Sequence, residues 1–168
     1  MSEKSKTMAG LDEAFAGESQ ASQKYSAFAK KADSEGYSQA ARMFRAAAAA
    51  EVVHAHNHLK AMGAIKDTAA NLQEAINGET HEFKVMYPPF IEAAKAEGHK
   101  EAQRSFEWAN KVEETHAALY KKLLDNLSKD MDNYPYYICP LCGHTEERAF
   151  PDVCPVCGAK GSLARQID

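Results

Sequence analysis

An all-α four-helix bundle followed by a small metal-stabilised C-terminal domain is the fold class this sequence predicts, on three observations. From Thr7 to about Lys129 the chain is rich in Ala, Glu, Lys, Leu and Gln, residues that lose little rotamer freedom on entering a helix. Within that stretch the chain repeats itself at an offset of 62 residues, with 35–54 matching 97–116 at eight of twenty positions, where roughly one or two matches would arise by chance. All four cysteines then fall in two Cys-x-x-Cys pairs near the C-terminus.

The helices follow from the breakers. Glu35-Gly36, Met62-Gly63 with Asp67-Thr68, and Glu97-Gly98 divide the body into helices over about 7–34, 37–62, 68–96 and 99–129. Short connections predict antiparallel neighbours. Pro88 and Pro89 fall inside the third segment, where a missing amide donor and a ring clash predict a kink or a division. The repeat pairs Glu35/Glu97, Gly36/Gly98, Ala40/Ala102, Arg42/Arg104, Phe44/Phe106, Ala47/Ala109, Glu51/Glu113 and His54/His116, and Tyr25/Tyr87 keeps the same offset. The body therefore reads as a duplicated helical hairpin. Past Leu127 the composition turns to Asp, Asn, Tyr and Pro, which places a domain boundary near residue 134: 1–133 for the bundle, 134–168 for the module. The latter is too short for a hydrophobic core of its own and needs a bound metal.

Composition excludes several functions. The 168 residues are 45% hydrophobic and 26% charged, ordinary for a globular protein with a sizeable core. A net charge of −4 with no Lys/Arg cluster lacks the electrostatic footprint of a nucleic-acid or anionic-membrane partner. The N-terminus, MSEKSKTMAG, is polar, and the longest Ala run, Ala46 to Ala50, stops at Glu51, so neither an export signal nor a membrane span is expected. A cytoplasmic location is the expectation, and a reducing cytosol favours reading the cysteine pairs as metal ligands.

The duplicated motif carries the chemistry. Positions i and i+3 share a helix face, so Glu51 and His54 offer a carboxylate and an imidazole to one ion, and Glu113 and His116 repeat the arrangement. Carboxylates bridge cations and imidazole suits iron, zinc or copper. The other two helices supply Glu18 in the first and Glu79 and Glu82 in the third. A lone Glu-x-x-His on an Ala-rich helix is ordinarily a solvated pair; its duplication points instead to a two-metal site, whose cations offset the cost of burying the acids. One Glu from each of two helices plus Glu-x-x-His from each of the others is the ligand pattern of di-metal carboxylate bundles, here with one acid extra. Tyr25 and Tyr87 are core aromatics by spacing, but their symmetry suggests hydrogen bonds to ligand carboxylates. His56, His58 and His81 read as surface or core polar residues.

Cys139-Pro-Leu-Cys142-Gly and Cys154-Pro-Val-Cys157-Gly form two matching knuckles separated by eleven residues, the signature of one tetrahedral four-thiolate site. The motif does not name the ion. By itself it suits a structural zinc ribbon, whereas beside a redox-capable site it suits iron.

The helical motifs Gly17-Glu18-Ser-Gln-Ala, Glu51-Val-Val-His54, Gly78-Glu79-Thr-His-Glu82, Met86-Tyr87-Pro88 and Glu113-Glu-Thr-His116, joined to this tail, resemble the rubrerythrin family over nearly the whole chain. The tail is similar to rubredoxin with a shortened spacing between knuckles, and His144 stands where an aromatic is common. The resemblance implies a ferritin-like di-iron bundle with a rubredoxin-like iron-tetracysteine domain. It implies a peroxidase of the NADH peroxidase type, reducing hydrogen peroxide to water with electrons relayed from a reductase or rubredoxin through the iron-thiolate site. It also implies that Glu82 and His54 exchange as ligands to one iron on reduction.

At 1.5 Å per residue His116 lies about 20 Å from the end of a helix reaching residue 129. The linker is expected to be too short to fold back easily, so the cysteine module of one subunit is expected to serve the di-iron site of another in a head-to-tail homodimer. Two readings compete with the peroxidase: a ferritin-like ferroxidase or iron-handling protein, and a non-enzymatic metal-binding protein with a zinc ribbon in place of the iron-thiolate tail.

Overall fold

The computed structural model describes residues 5–167. It contains four bundle helices and a small three-stranded C-terminal domain with a four-cysteine cluster, arranged in two compact units, Met1–Lys66 and Asp67–Asp168.

The first unit is a helical hairpin of α1 (Lys6–Ser34) and α2 (Ser38–Ala61). Ser5 caps α1 by accepting from the Met8 amide, one of the donors a helix start leaves unpaired. The turn is a glycine cap: Gly36 adopts φ +85° and the Tyr37 amide reaches back to the Ala32 carbonyl. The seam is built from small side chains, with Ser22, Ala29 and Ala32 of α1 and Ala41, Ala48 and Ala55 of α2 buried. Alanine at these positions lets the two helices approach closely.

The second unit repeats the hairpin with one alteration. Its first arm is α3 (Thr68–His81), a π-helical turn (Glu82–Met86) and α4 (Tyr87–Ala96), and its second arm is α5 (Lys100–Asp125). The prolines divide the third helix as expected, and the division has a cause. Neither Pro88 nor Pro89 has an amide to continue an α-helical ladder, and the Tyr87 amide bonds the Glu82 carbonyl five residues back. The arms join through the same cap, with Gly98 at φ +71° and the His99 amide on the Ala94 carbonyl. Helix α5 ends four residues short of the expected 129, where Asn126 leaves helical geometry and donates its side-chain amide to the Lys122 carbonyl.

The cysteine module belongs to the second unit, so the division at 66/67 falls inside the segment expected to form one domain. Its strands β1 (Tyr136–Ile138), β2 (Thr145–Glu147) and β3 (Arg165–Ile167) form an antiparallel sheet in the order β2-β1-β3, with Tyr137 opposite Glu146 and Gln166. Against the expectation that the linker is too short to fold back easily, residues 126–135 return the chain so that β2 lies on α5. A segment of that length extends up to about 33 Å, more than the roughly 14 Å from His116 to the end of α5 at Asp125. Lys122 of α5 pairs with Glu147 of β2. Among the described residues no helix is long and apolar enough to cross a membrane.

Candidate metal centres

Three donor clusters form. Glu18, Glu51 and His54 converge in the first unit, Glu79, Glu113 and His116 in the second, and Cys139, Cys142, Cys154 and Cys157 in the module, with the ligand atoms of each within 4.8 Å of one another. In both helical clusters the i,i+3 spacing closes the same contact: His54 Nδ1 lies 2.9 Å from Glu51 Oε2, and His116 Nδ1 lies 2.8 Å from Glu113 Oε2. Across the hairpin, His116 Nδ1 is 3.8 Å from Glu79 Oε1.

The acids of the second unit are held in tension. Burial pushes the Glu79 carboxyl above its ordinary range and the charge of Glu113 adds to the shift, with only His116 acting against them. Glu82, on the first residue of the π-helical turn, is raised by burial and then by Glu113. His116 is raised by its hydrogen bond to Glu113, against the opposing effect of burial. Desolvated carboxylates that raise one another lack positive charge, and a divalent cation on hard oxygen and imidazole donors supplies it. The residues present therefore fit a carboxylate-bound metal. Glu82 acts electrostatically on Glu79 and Tyr87 but stands outside the convergent triad.

The tyrosines pack as aromatics. Tyr25 lies on Phe28 and Phe44, with ring centroids 6.3 and 6.2 Å away, and Tyr87 lies 6.2 Å from Phe106, which Phe90 also meets at 5.7 Å. The trio Tyr25-Phe28-Phe44 thus recurs as Tyr87-Phe90-Phe106. Sequence reasoning missed the Phe28/Phe90 pair, although the 62-residue offset contains it. Burial raises the Tyr87 phenol, and Glu82, Glu113 and Glu79 raise it further, which places this tyrosine in the field of the acids. His56 and His81 are exposed, and His58 is half-buried; none joins a cluster.

The two knuckles are near copies. The Gly143 amide donates to the Cys139 carbonyl at 2.9 Å and the Gly158 amide to the Cys154 carbonyl at 3.0 Å, with φ of +83° and +75°. That backbone region admits glycine without strain, and it closes each turn around its sulfurs. The Sγ atoms pair at 3.6 Å, Cys139 with Cys157 and Cys142 with Cys154, and all four are free thiols. Burial acts to raise Cys139, but the amides of Leu141 and Cys142 and the neighbouring thiols outweigh it and bring the group down to about 7, whereas burial pushes Cys142 and Cys157 up. Four thiols brought this close together by two glycine-closed turns are a donor set for one cation. His144 is buried, edge-on to Phe150 with centroids 5.9 Å apart, and its Nε2 lies 2.8 Å from Glu146 Oε1. It fills the place of an aromatic.

One contact was invisible in the sequence. Thr145, three residues past Cys142, places Oγ1 2.9 Å from His116 Nε2.

Comparison with known proteins agrees with this geometry. A rubrerythrin family profile matches residues 10–124, and a profile described as the rubrerythrin rubredoxin-like domain matches 137–162. Rubrerythrin-2 of Clostridium acetobutylicum is 37% identical over 166 residues, covering 89% of this chain and 90% of its own. Nigerythrin of Nitratidesulfovibrio vulgaris is 36% identical, with 90% and 81% covered. A solved structure of nigerythrin in a mixed-valence state aligns with 99% of this chain and 88% of its own at a TM-score of 0.59 and 31% identity. Duplicated Glu-x-x-His hairpins, a tetracysteine module and these full-length similarities together show that the chain belongs to the rubrerythrin family.

Proposed function

We propose that the chain is a non-haem di-iron peroxidase that reduces hydrogen peroxide to water, drawing electrons from a reductase or rubredoxin through an iron-tetracysteine site. The observation that carries this reading is the packing of the four-thiolate module against the helix that bears Glu113 and His116. A ferroxidase has no use for such a relay, and a zinc ribbon that docks a partner has no need to sit on a metal ligand. Iron is further supported by a nigerythrin structure described as fully reduced and all ferrous.

In this reading Glu18, Glu51, His54, Glu79, Glu113 and His116 would hold two iron ions, Glu82 and His54 would be the ligands open to exchange, and the four cysteines would hold a third iron. The irons would supply the two electrons that hydrogen peroxide needs to become two waters, reloaded one at a time from the thiolate site. The chain's part is to bring protons. Tyr87 keeps its phenolic hydrogen because burial and three carboxylates raise it, and Glu82 holds a proton more readily than an ordinary acid. Both stand beside the cluster where oxygen would be released as water.

The proposal includes a cytoplasmic homodimer. Phe28, Met43, Val52 and Val53 of the first hairpin are exposed apolar side chains that a second copy would cover. A head-to-tail relay between chains is not needed for the module to reach a helical cluster, because the fold-back of residues 126–135 supplies that approach within one chain. The test is anaerobic rapid mixing of the fully reduced protein with hydrogen peroxide or dioxygen while both iron signals are followed. Faster oxidation by peroxide, with the thiolate site following the bundle, is expected. Faster oxidation by dioxygen, or a colourless tail filled with zinc, would overturn the assignment.

A further inference from the structure

His116 uses its two ring nitrogens differently. Nδ1 faces the acids, 2.8 Å from Glu113 Oε2 and 3.8 Å from Glu79 Oε1, while Nε2 points at Thr145 Oγ1 at 2.9 Å. The Thr145 hydroxyl in turn donates to the Gly143 carbonyl at 3.1 Å. A hydroxyl has one hydrogen to give, so with that hydrogen on Gly143 the oxygen meets His116 only as an acceptor. Nε2 therefore carries a ring hydrogen, and Nδ1, which here donates to the Glu113 carboxylate, is the nitrogen that would give up its hydrogen to face a cation among the acids.

We propose that Thr145 is a positioning residue for the helical metal cluster, fixing the tautomer and direction of the His116 imidazole, and that through it the folded cysteine module sets the affinity of that cluster. The proposal rests on the reading of His116 as a metal ligand given above. Thr145 is held by the first knuckle, because Gly143 follows Cys142 directly and the Cys139 amide donates to the His144 carbonyl at 2.8 Å. The knuckle itself rests on α5: a Cβ placed on Gly143 would stand 3.9 Å from Val112 Cγ1. Around the Thr145–His116 bond, Leu119, Tyr120, Leu123 and Tyr136 wall a cavity of about 210 Å³, a mainly apolar setting with few rivals for Nε2. A module of this size is organised by its metal. Loading the cysteines thus places the Thr145 hydroxyl, which orients His116, and by linkage loading the helical cluster favours the loaded module by the same factor.

The test uses the full-length chain with zinc in its cysteines, because ferrous iron, the weaker binder, does not displace zinc from thiolates. Ferrous iron is titrated anaerobically by calorimetry, and nitrogen-resolved NMR follows the His116 Nε2–H before iron is added. Thr145→Val, close in shape, is expected to weaken ferrous binding about 10–100-fold, the usual loss when the outer partner of a ligating histidine is removed, and to hasten exchange of the Nε2 hydrogen. Thr145→Ser is expected to restore both. Unchanged affinity and exchange in Thr145→Val would overturn the proposal, as would a serine variant that behaves like the valine. A wild-type chain that takes up no ferrous iron overturns the ligand reading and the coupling with it, and the Nε2–H signal, which needs no iron, separates the two failures.

Discussion

The two helical hairpins carry the same ligand motif in different surroundings. In the first, His54 meets Glu51 but leaves 54% of its side chain exposed; in the second, His116 is 28% exposed, is gripped on both nitrogens and sits among acids raised by burial. Duplication thus preserved the donors and the i,i+3 geometry that presents them. What differs was added around the second copy: the π-helical turn that carries Glu82, and the cysteine module resting on α5. A duplicated motif is therefore half a description of a metal site, and the groups around it decide how far it is organised before an ion arrives.

The largest expected effects come from removing the repeated acids. Glu51→Ala and Glu113→Ala each delete a ligand, so each is expected to lower iron affinity beyond the roughly 10–100-fold loss typical of outer-sphere changes, measured by anaerobic titration with zinc in the tail. Comparable losses support a single centre that draws on both copies. An intact affinity in Glu51→Ala would mean that the first copy is a surface pair.

Glu82 has no counterpart in the first hairpin. Glu82→Ala is expected to slow peroxide turnover by about 100-fold, the low end of the usual range for a group that carries a proton, with a smaller change in iron binding. Steady-state rates and iron titration on the same samples check this, and an unchanged rate removes the proposed role.

The smallest effect is on stability. In the metal-free chain Glu79, Glu82 and His116 all have raised values, so the folded state binds more protons than the unfolded state between each ordinary value and its raised one. Stability contributed by His116 is present below about 6.5 and is lost as pH rises through its raised value. The raised acids act with the same sign at lower pH. Urea unfolding of the metal-free protein is expected to show stability falling from pH 6 to pH 8, and His116→Gln should flatten that slope. An equal slope in the two proteins would remove His116 as its source.

The sequence made legible what depends on local spacing. Glu51/His54, Glu113/His116 and the two knuckles are set by residues three apart on one chain segment, and Pro88-Pro89 announced the division of the third helix. The π-helical turn was not legible as such, because a proline pair is compatible with several repairs of the ladder. Thr145 was hidden for a different reason. Its partner lies 29 residues away, and the contact depends on the course of 126–135, which no period or motif encodes. The linker argument failed at the same place, by treating the end of α5 as a direction the chain must keep.

The most direct measurement of the central claim is Mössbauer spectroscopy of the chain loaded with iron. The account predicts two iron ions per chain in oxygen and nitrogen surroundings, magnetically coupled through a shared bridge, together with one in a tetrathiolate site. Uncoupled irons bound separately at the two helical clusters, or a tail that refuses iron, would contradict it.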